Sequence, residues 1–207
     1  NISGVSANEV IIDAEGQSGA IIIDHGEGIT ISDLTITGGN AEYGGGISSN
    51  GNVTIQNVII RNNIANAGGG MDFGGFLGGS NAILHNVLLT ENVAYSRGGA
   101  IYSSRATLTF QNVTVSNNQS ARGKGIFCSN GSEIILRNSI FSENTDAIHF
   151  LGYNAENYVT SSWSDVHGPI VTNSNGSFIW GEGSINEDPL FEGIGDHPYA
   201  LSLGSPC

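Results

Sequence analysis

A repeat constrains this chain more than any other feature. A Gly-rich turn, a short apolar strand, a turn, a strand ending in Asn or Asp, another strand and an Asn-rich turn follow one another, then recur. The copies run from Ala20 to Asn40, Gly44 to Asn63, Gly68 to Asn92, Gly98 to Asn118 and Gly123 to Asn144, and a sixth begins at Ala147. One polar residue marks the register in each: Asp33, Asn57, Asn86, Asn112 and Asn138, spaced by 24, 29, 26 and 26 residues. The uneven spacing sits in loops, such as the glycine-rich insertion Gly74–Gly79. Apolar and polar residues alternate on either side of the mark. Val53, Ile55, Val58 and Ile60 fall on one face, and Thr54, Gln56, Ile59 and Arg61 on the other. Period-two alternation predicts strands half buried against a core. Each copy is too small to fold alone and must stack on its neighbours.

The predicted fold is therefore all-β: a right-handed parallel β-helix with three strands per coil and about six to seven coils. Like residues then form columns. Ile21, Ile47, Met71, Ile101, Ile126 and Ile148 make one inner column, and Leu34, Val58, Val87 and Val113 another. Asp33, Asn57, Asn86, Asn112 and Asn138 are expected as an inner ladder, bonded coil to coil at about 4.8 Å. Residues 1–150 are read as repeat coils. Residues 151–207 are read as a last irregular coil and a C-terminal capping segment of the same domain.

Composition agrees and removes other classes. Glycine makes up 31 of 207 residues, which suits tight corners without Cβ atoms. The glycines lack the three-residue period of collagen. Six basic against 19 acidic residues give a net charge of −13, so the basic footprint of nucleic-acid binding is missing. No apolar run is long enough for a transmembrane helix. Asn1 is not a natural start, so an upstream region or leader is expected. Cys128 and Cys207 could pair, but a buried thiol and a terminal one is the preferred reading.

The Gly-Gly-x-Ile motifs, with Gly98–Ile101 as GGAI and Phe141–Asn144 as FSEN, resemble the repeats of chlamydial polymorphic outer-membrane proteins. Val159–Gly168, Ile185–Phe191 and His197–Cys207 resemble the C-terminal part of secreted choice-of-anchor β-helix proteins. The resemblance implies a bacterial protein located outside the cell or on its surface. The fold it implies is shared with pectate-lyase-like enzymes, but a shared fold does not fix activity. The register Asn residues resemble the asparagine ladder of those enzymes, whose substrate groove lies outside the first sheet.

On that assignment the outward column of the Gly-Gly-x-Ile strands is Ile22, Ser48, Asp72, Tyr102, Phe127 and His149. Arg97 and Arg122 hold matching places in the adjoining Gly-rich loops, with Arg105 and Lys124 nearby. Aromatic rings pack on sugar rings, and Arg forks pair with carboxylates. Asp72, Tyr102, Phe127, His149, Arg97 and Arg122 are thus the expected carbohydrate-binding residues, with an acidic sugar as the ligand. The alternative is that a loop or the C-terminal segment covers the rings.

Catalytic residues are not assigned. If the resemblance to lyases extended to chemistry, Arg97 or Arg122 would be the base. A glycosidase needs two carboxyls about 5–9 Å apart, and no column stacks two acids on adjacent coils. No cofactor is expected. Calcium could sit between loops in the C-terminal acids Glu182, Glu187, Asp188, Glu192 and Asp196, although a solvated acidic surface is the simpler reading. The five histidines lack zinc spacing. Six N-x-S/T sequons occur, and one falls on Asn112, where an inner ladder would exclude a glycan.

Ranks of outward Thr, such as Thr30, Thr54 and Thr109, raise ice binding as a further class. Ile83 and Ile135 interrupt that rank, and Ile59, Leu88 and Ile140 the next. Those apolar residues instead predict a covered face. The segment from Gly152, with Trp163, Phe178, Trp180 and Phe191, is the candidate cover. The preferred function is a secreted or surface-displayed, non-catalytic module that binds polysaccharide or cell-surface glycan or mediates adhesion. A polysaccharide lyase acting on acidic polysaccharide is the alternative. The oligomeric state is not legible.

Overall fold

The computed structural model describes residues 1–74, 79–142, 145–152, 155–172, 175–194 and 198–207. Its described residues form strands and turns, with no helix among them. Three parallel sheets build the stack, two along its length and a third over four coils, and strands one coil apart in sequence are neighbours in space. The first sheet has seven strands: Ile21–Ile23, Ile47–Ser49, Met71–Phe73, Ile101–Ser104, Ile126–Ser129, Ile148–Leu151 and Ile170–Thr172.

The segments on either side of the register residue are joined more closely than the sequence predicts. In the middle coils they run on as one long strand: Ile29–Thr37, Val53–Arg61, Asn81–Thr90 and Thr107–Ser116. These form the second sheet. Each bends at its register residue, where φ is 60° at Asp33, 54° at Asn57, 56° at Asn86 and 56° at Asn112. Asn and Asp tolerate this left-handed conformation better than other non-glycine residues. The third sheet comes from segments after the Asn-rich turn: Asn40–Tyr43, Ile64–Ala67, Val93–Arg97 and Gln119–Ser120.

The register residues do form a ladder, but on the outside. Asn57 Nδ2 donates to Asp33 Oδ1 at 2.8 Å, Asn86 Nδ2 to Asn57 Oδ1 at 2.9 Å, and Asn138 Nδ2 to Asn112 Oδ1 at 2.7 Å. Asp33 and Asn57 are half-buried, and Asn86, Asn112 and Asn138 are exposed. A left-handed corner turns the side chain away from the core, so the expected inner ladder is an outer one. Burial therefore does not exclude a glycan at Asn112.

A second ladder lies inside, one turn further along each coil. Asn63, Asn92 and Asn118 are buried. Asn63 Nδ2 donates to Asn92 Oδ1 at 3.0 Å, and Asn92 Nδ2 to Asn118 Oδ1 at 3.1 Å. The same Oδ1 atoms accept the backbone N–H of the coil before: Asn63 N to Asn92, and Asn92 N to Asn118. Each Nδ2 also bonds buried carbonyls, Ile36 O and Arg61 O for Asn63, Ile60 O for Asn92, and Leu89 O and Ser116 O for Asn118. One side chain thus satisfies corner groups that would otherwise be buried without partners. Asn144, the next in sequence and the last residue of the FSEN motif, lies outside the described residues, as does Glu143 before it.

The predicted core columns hold. Ile21, Ile47, Met71, Ile101, Ile126 and Ile148 are successive partners and are buried. Leu34, Val58, Val87 and Val113 pair likewise. Burying each such side chain contributes about 1.5–3 kcal/mol. Paired glycines let the turns close on this core. A Cβ on Gly99 would stand 2.4 Å from Lys124 O and 2.8 Å from Gln119 O, and Gly98 has φ 67°. The Gly74–Gly79 insertion is described only at its two ends.

The stack continues past residue 150. Asn157–Ser162 and Gly176–Trp180 extend the second sheet, and Ile170–Thr172 ends the first. The chain then doubles back. Phe191 and Leu201 form an antiparallel bridge, Phe191 meets Tyr199 edge-on at 5.5 Å, and the Tyr199 hydroxyl bonds Thr90 Oγ1. Leu190, Phe191 and Tyr199 face Ile11, Ile59 and Leu88 across a cavity of about 660 Å³. This return covers Ile59 and Leu88, as their apolar character predicts, but it does not reach the neighbouring rank, where Ile83 is exposed. Of the expected covering rings, Phe191 takes part. Phe178 and Trp180 pack on each other at 4.6 Å, and Trp163 is exposed.

Cys128 is buried, Cys207 is exposed, and both are free thiols. Burial raises the Cys128 pKa, and partial burial with Asp165 beside it pushes Cys207 up to about 11.

Two outcomes test this account. Asn92→Ala should cost about 3 kcal/mol, because it strands several buried polar groups, while Asn112→Gly should cost about 1 kcal/mol or less. Equal losses in denaturant unfolding would contradict the assignment of the two ladders. A thiol reagent should label one cysteine in the folded protein and both in denaturant.

Candidate functional site

The outward side chains of the first sheet stack as the sequence predicts. Ile22, Ser48, Asp72, Tyr102, Phe127 and His149 are consecutive parallel partners. Their surroundings differ along the column. Ile22 is exposed, Ser48 and Tyr102 are half-buried, and Asp72, Phe127 and His149 are buried. The expected open strip of three rings is therefore closed at two of them.

The rings form a packed stack. Phe127 and His149 lie 5.2 Å apart and nearly parallel, and Tyr102 and Phe127 are 5.9 Å apart. His149 Nδ1 is 3.0 Å from Asp146 Oδ2, which also accepts the Gly123 N–H. Ser129 Oγ donates to the Tyr102 hydroxyl at 3.2 Å, which fixes that ring. Arg97 lies across the stack, 5.0 Å from the Tyr102 ring centre and 5.8 Å from that of Phe127. A cation over aromatic faces is a favourable contact. The third sheet places Arg97 there, because its register shifts between Ala94 and Arg97. Such bulges re-aim side chains. Arg97 Nε is buried and has no hydrogen-bond partner among the described residues.

On the other side of Tyr102 the column continues with Asp72, Ser48 and Ile22, none of them a ring, and a groove of about 960 Å³ opens beside the first two. Ser48, Asp72 and Tyr102 line it, with Tyr43 from the third sheet. The stacked loops between the first and second sheets supply more lining. They contribute Asp24, His25 and Glu27, then Asn50 and Asn52, then Ser104 and Arg105, then Asn130. Asn130 Nδ2 donates to Ser104 Oγ at 3.0 Å and so ties two of these loops together.

Asp72 is the unusual group. Ser48 Oγ donates to its Oδ2 at 3.4 Å, while Oδ1 is buried and has no partner among the described residues. Burial penalises its charged form and pushes its pKa up to about 7, against the opposing effects of the Ser48 hydrogen bond and the Arg97 charge.

The predicted cations do not all gather. Arg97 touches the stack and Arg105 lines the groove. Arg122 occupies the matching place one coil on, since Gly98 N donates to Arg122 O, but its side chain is exposed. Lys124 is half-buried and does not line the groove. Sequence reasoning passed over Tyr43 and the Asp24–Glu27 loop. Tyr43 had a signal, because it precedes the Gly-rich turn as Arg97 and Arg122 do.

Among the described residues, no three His, Cys, Asp or Glu side chains converge as a metal site requires. Asp196, one of the C-terminal acids, and His197 lie outside the described residues. The outward rank of the second sheet runs Thr30, Thr54, Ile83, Thr109, Ile135, Thr160 and Ile179. Isoleucines interrupt the Thr array, as the sequence shows. Among the described residues, no helix is long and apolar enough to cross a membrane.

The Asp72 pKa makes a prediction for stability. Folded Asp72 keeps its proton up to about 7, whereas in the unfolded chain it loses it near 3.8. Across that window the folded state binds more protons, so this group's contribution falls as pH rises. Asp72→Asn should therefore gain stability relative to the parent between about pH 4 and pH 7, and then hold a constant difference. Parallel pH profiles in denaturant unfolding would contradict the assignment.

Comparison with known proteins agrees with the stack. No curated protein and no solved structure matches the chain. The family model for the right handed beta helix region matches residues 1–164, most of the coils described above. With its stacked parallel strands and the match to that model, the chain belongs to the right-handed β-helix family.

Proposed function

We propose that this β-helix is an extracellular or cell-surface module that binds carbohydrate in the groove beside Tyr102, without catalysing a reaction. The observation that carries the reading is the floor of the groove. Tyr102 is half-buried, held by Ser129, backed by Phe127 and Arg97, and open on its remaining side beside Ser48 and Asp72. A fixed ring next to polar groups is suited to a sugar, which offers an apolar C–H face and hydroxyls together. The walls carry Asn50, Asn52, Ser104 and Asn130, neutral groups able both to donate and to accept.

The groove runs across several coils, which suits a chain of sugars rather than one. Adhesion would follow from the same site when the glycan belongs to a surface. The lyase alternative draws less support. Arg97 is engaged by two rings and Arg122 lies away from the groove, so neither stands ready as a base beside Asp72.

A glycan array tests the proposal. The protein should bind at least one oligosaccharide, and Tyr102→Ala should weaken it about tenfold while the protein still unfolds cooperatively at a somewhat lower temperature. No binding to any glycan, or binding indifferent to Tyr102→Ala, would contradict the reading. Formation of unsaturated product from polyuronates would favour the lyase instead.

A further inference from the structure

The stack of rings stops one place short. His149, Phe127 and Tyr102 occupy three successive coils with centres 5.2 and 5.9 Å apart. The next two places hold Asp72 and Ser48, whose side chains are too short to continue the stack. The groove fills the space they leave. Beneath it, Asp72 is buried, and its Oδ1 has no partner among the described residues. A buried acceptor without a partner is costly, and bound ligands are one way to satisfy it.

We propose that this gap is a subsite for one uncharged sugar ring, which stacks on Tyr102 and donates a hydroxyl hydrogen bond to the Asp72 carboxylate. The inference rests on the carbohydrate-binding reading above and narrows its ligand class. The hydroxyl goes to Oδ1, the oxygen that has no partner among the described residues, at the floor of the groove. Ser48, half-buried on the same floor, holds the other oxygen. An acidic sugar fits poorly, because its carboxylate would meet Asp72 below and Asp24 and Glu27 on the wall, with Arg105 as the one lining cation to set against these three acids. This departs from the acidic ligand that the sequence alone led us to expect.

The subsite makes binding depend on pH. A hydroxyl bonds an ionised carboxylate more strongly than a protonated one. Asp72 changes charge at about 7, so affinity rises as pH rises through that value. The other charged and titratable groups around it are Arg97 and Tyr43 from the third sheet, Tyr102 beside it, and Asp24, His25, Glu27 and Arg105 on the opposite wall. Arg97 favours the ionised form of Asp72, and its own place over the rings does not depend on the ligand.

Titration calorimetry with the full chain tests this. The probes are cello-, manno-, xylo- and laminari-oligosaccharides and, as the acidic arm, oligogalacturonides, each at pH values on either side of 7. One uncharged probe should bind, about fivefold more tightly above pH 7 than below. Asp72→Asn should bind that probe with the weaker affinity at both pH values. Ser48→Ala removes a bond that favours the charged carboxylate and should move the midpoint to higher pH, while His25→Gln should leave it in place. An unaltered pH dependence in Asp72→Asn, an unmoved midpoint in Ser48→Ala, or binding of oligogalacturonides alone would overturn the subsite and leave the binding module standing. Failure of every probe and of the glycan array would overturn both.

Discussion

The buried asparagine ladder is the interaction on which the coil depends. A chain that turns a corner inside a stack leaves N–H and C=O groups pointing inward, where water cannot reach them. Asn63, Asn92 and Asn118 answer these groups with one amide each, and they also join each coil to the next. A single aliphatic residue there would fill the space but satisfy nothing. The amide has two donors and an acceptor with two lone pairs, which matches what the corner lacks. With the corner fixed, the strands on either side fall into register, and every column of like residues follows.

The same register builds the candidate site. Because each coil repeats the one below, an outward residue is always beside its counterpart one coil away. Three rings on successive coils must therefore stack, and two short side chains after them must leave a gap. The gap needs no special loop to create it. What makes it distinct is local: Arg97, re-aimed by an irregular register in the third sheet, braces Tyr102, and Asp72 sits buried below. The third sheet gives the groove one wall through Tyr43, and the loops before the second sheet give it the other.

Much of this was legible in the sequence. The spacing of Asp33, Asn57, Asn86 and Asn112 fixed the register, and alternation picked out the core columns and the outward column. Depth was less legible. Asn57 and Asn63 are both Asn near a turn, yet one faces out and one faces in. The difference lies in φ, which is left-handed at Asn57, and no composition or spacing carries it. Phe127 and His149 fit an outward column equally well whether solvent or a neighbour covers them. Covering depends on the path of Arg97, which comes from the coil before that of Phe127, and on the place of Asp146 in the turn just before His149. The return of Leu190, Phe191 and Tyr199 over Ile59 and Leu88 follows from apolar residues on an outward face, but its partner Thr90 does not.

The central claim is that this regular stack acts through one interruption in its outer face. Backbone amide chemical shifts, followed by nuclear magnetic resonance while an uncharged oligosaccharide that binds is added, test it most directly. The account predicts changes confined to Ser48, Asp72, Tyr102 and the loops at Asp24–Glu27 and Ser104–Arg105. Changes centred instead on the Thr54, Ile83 and Thr109 face, or on the cleft under Leu190 and Tyr199, would contradict it.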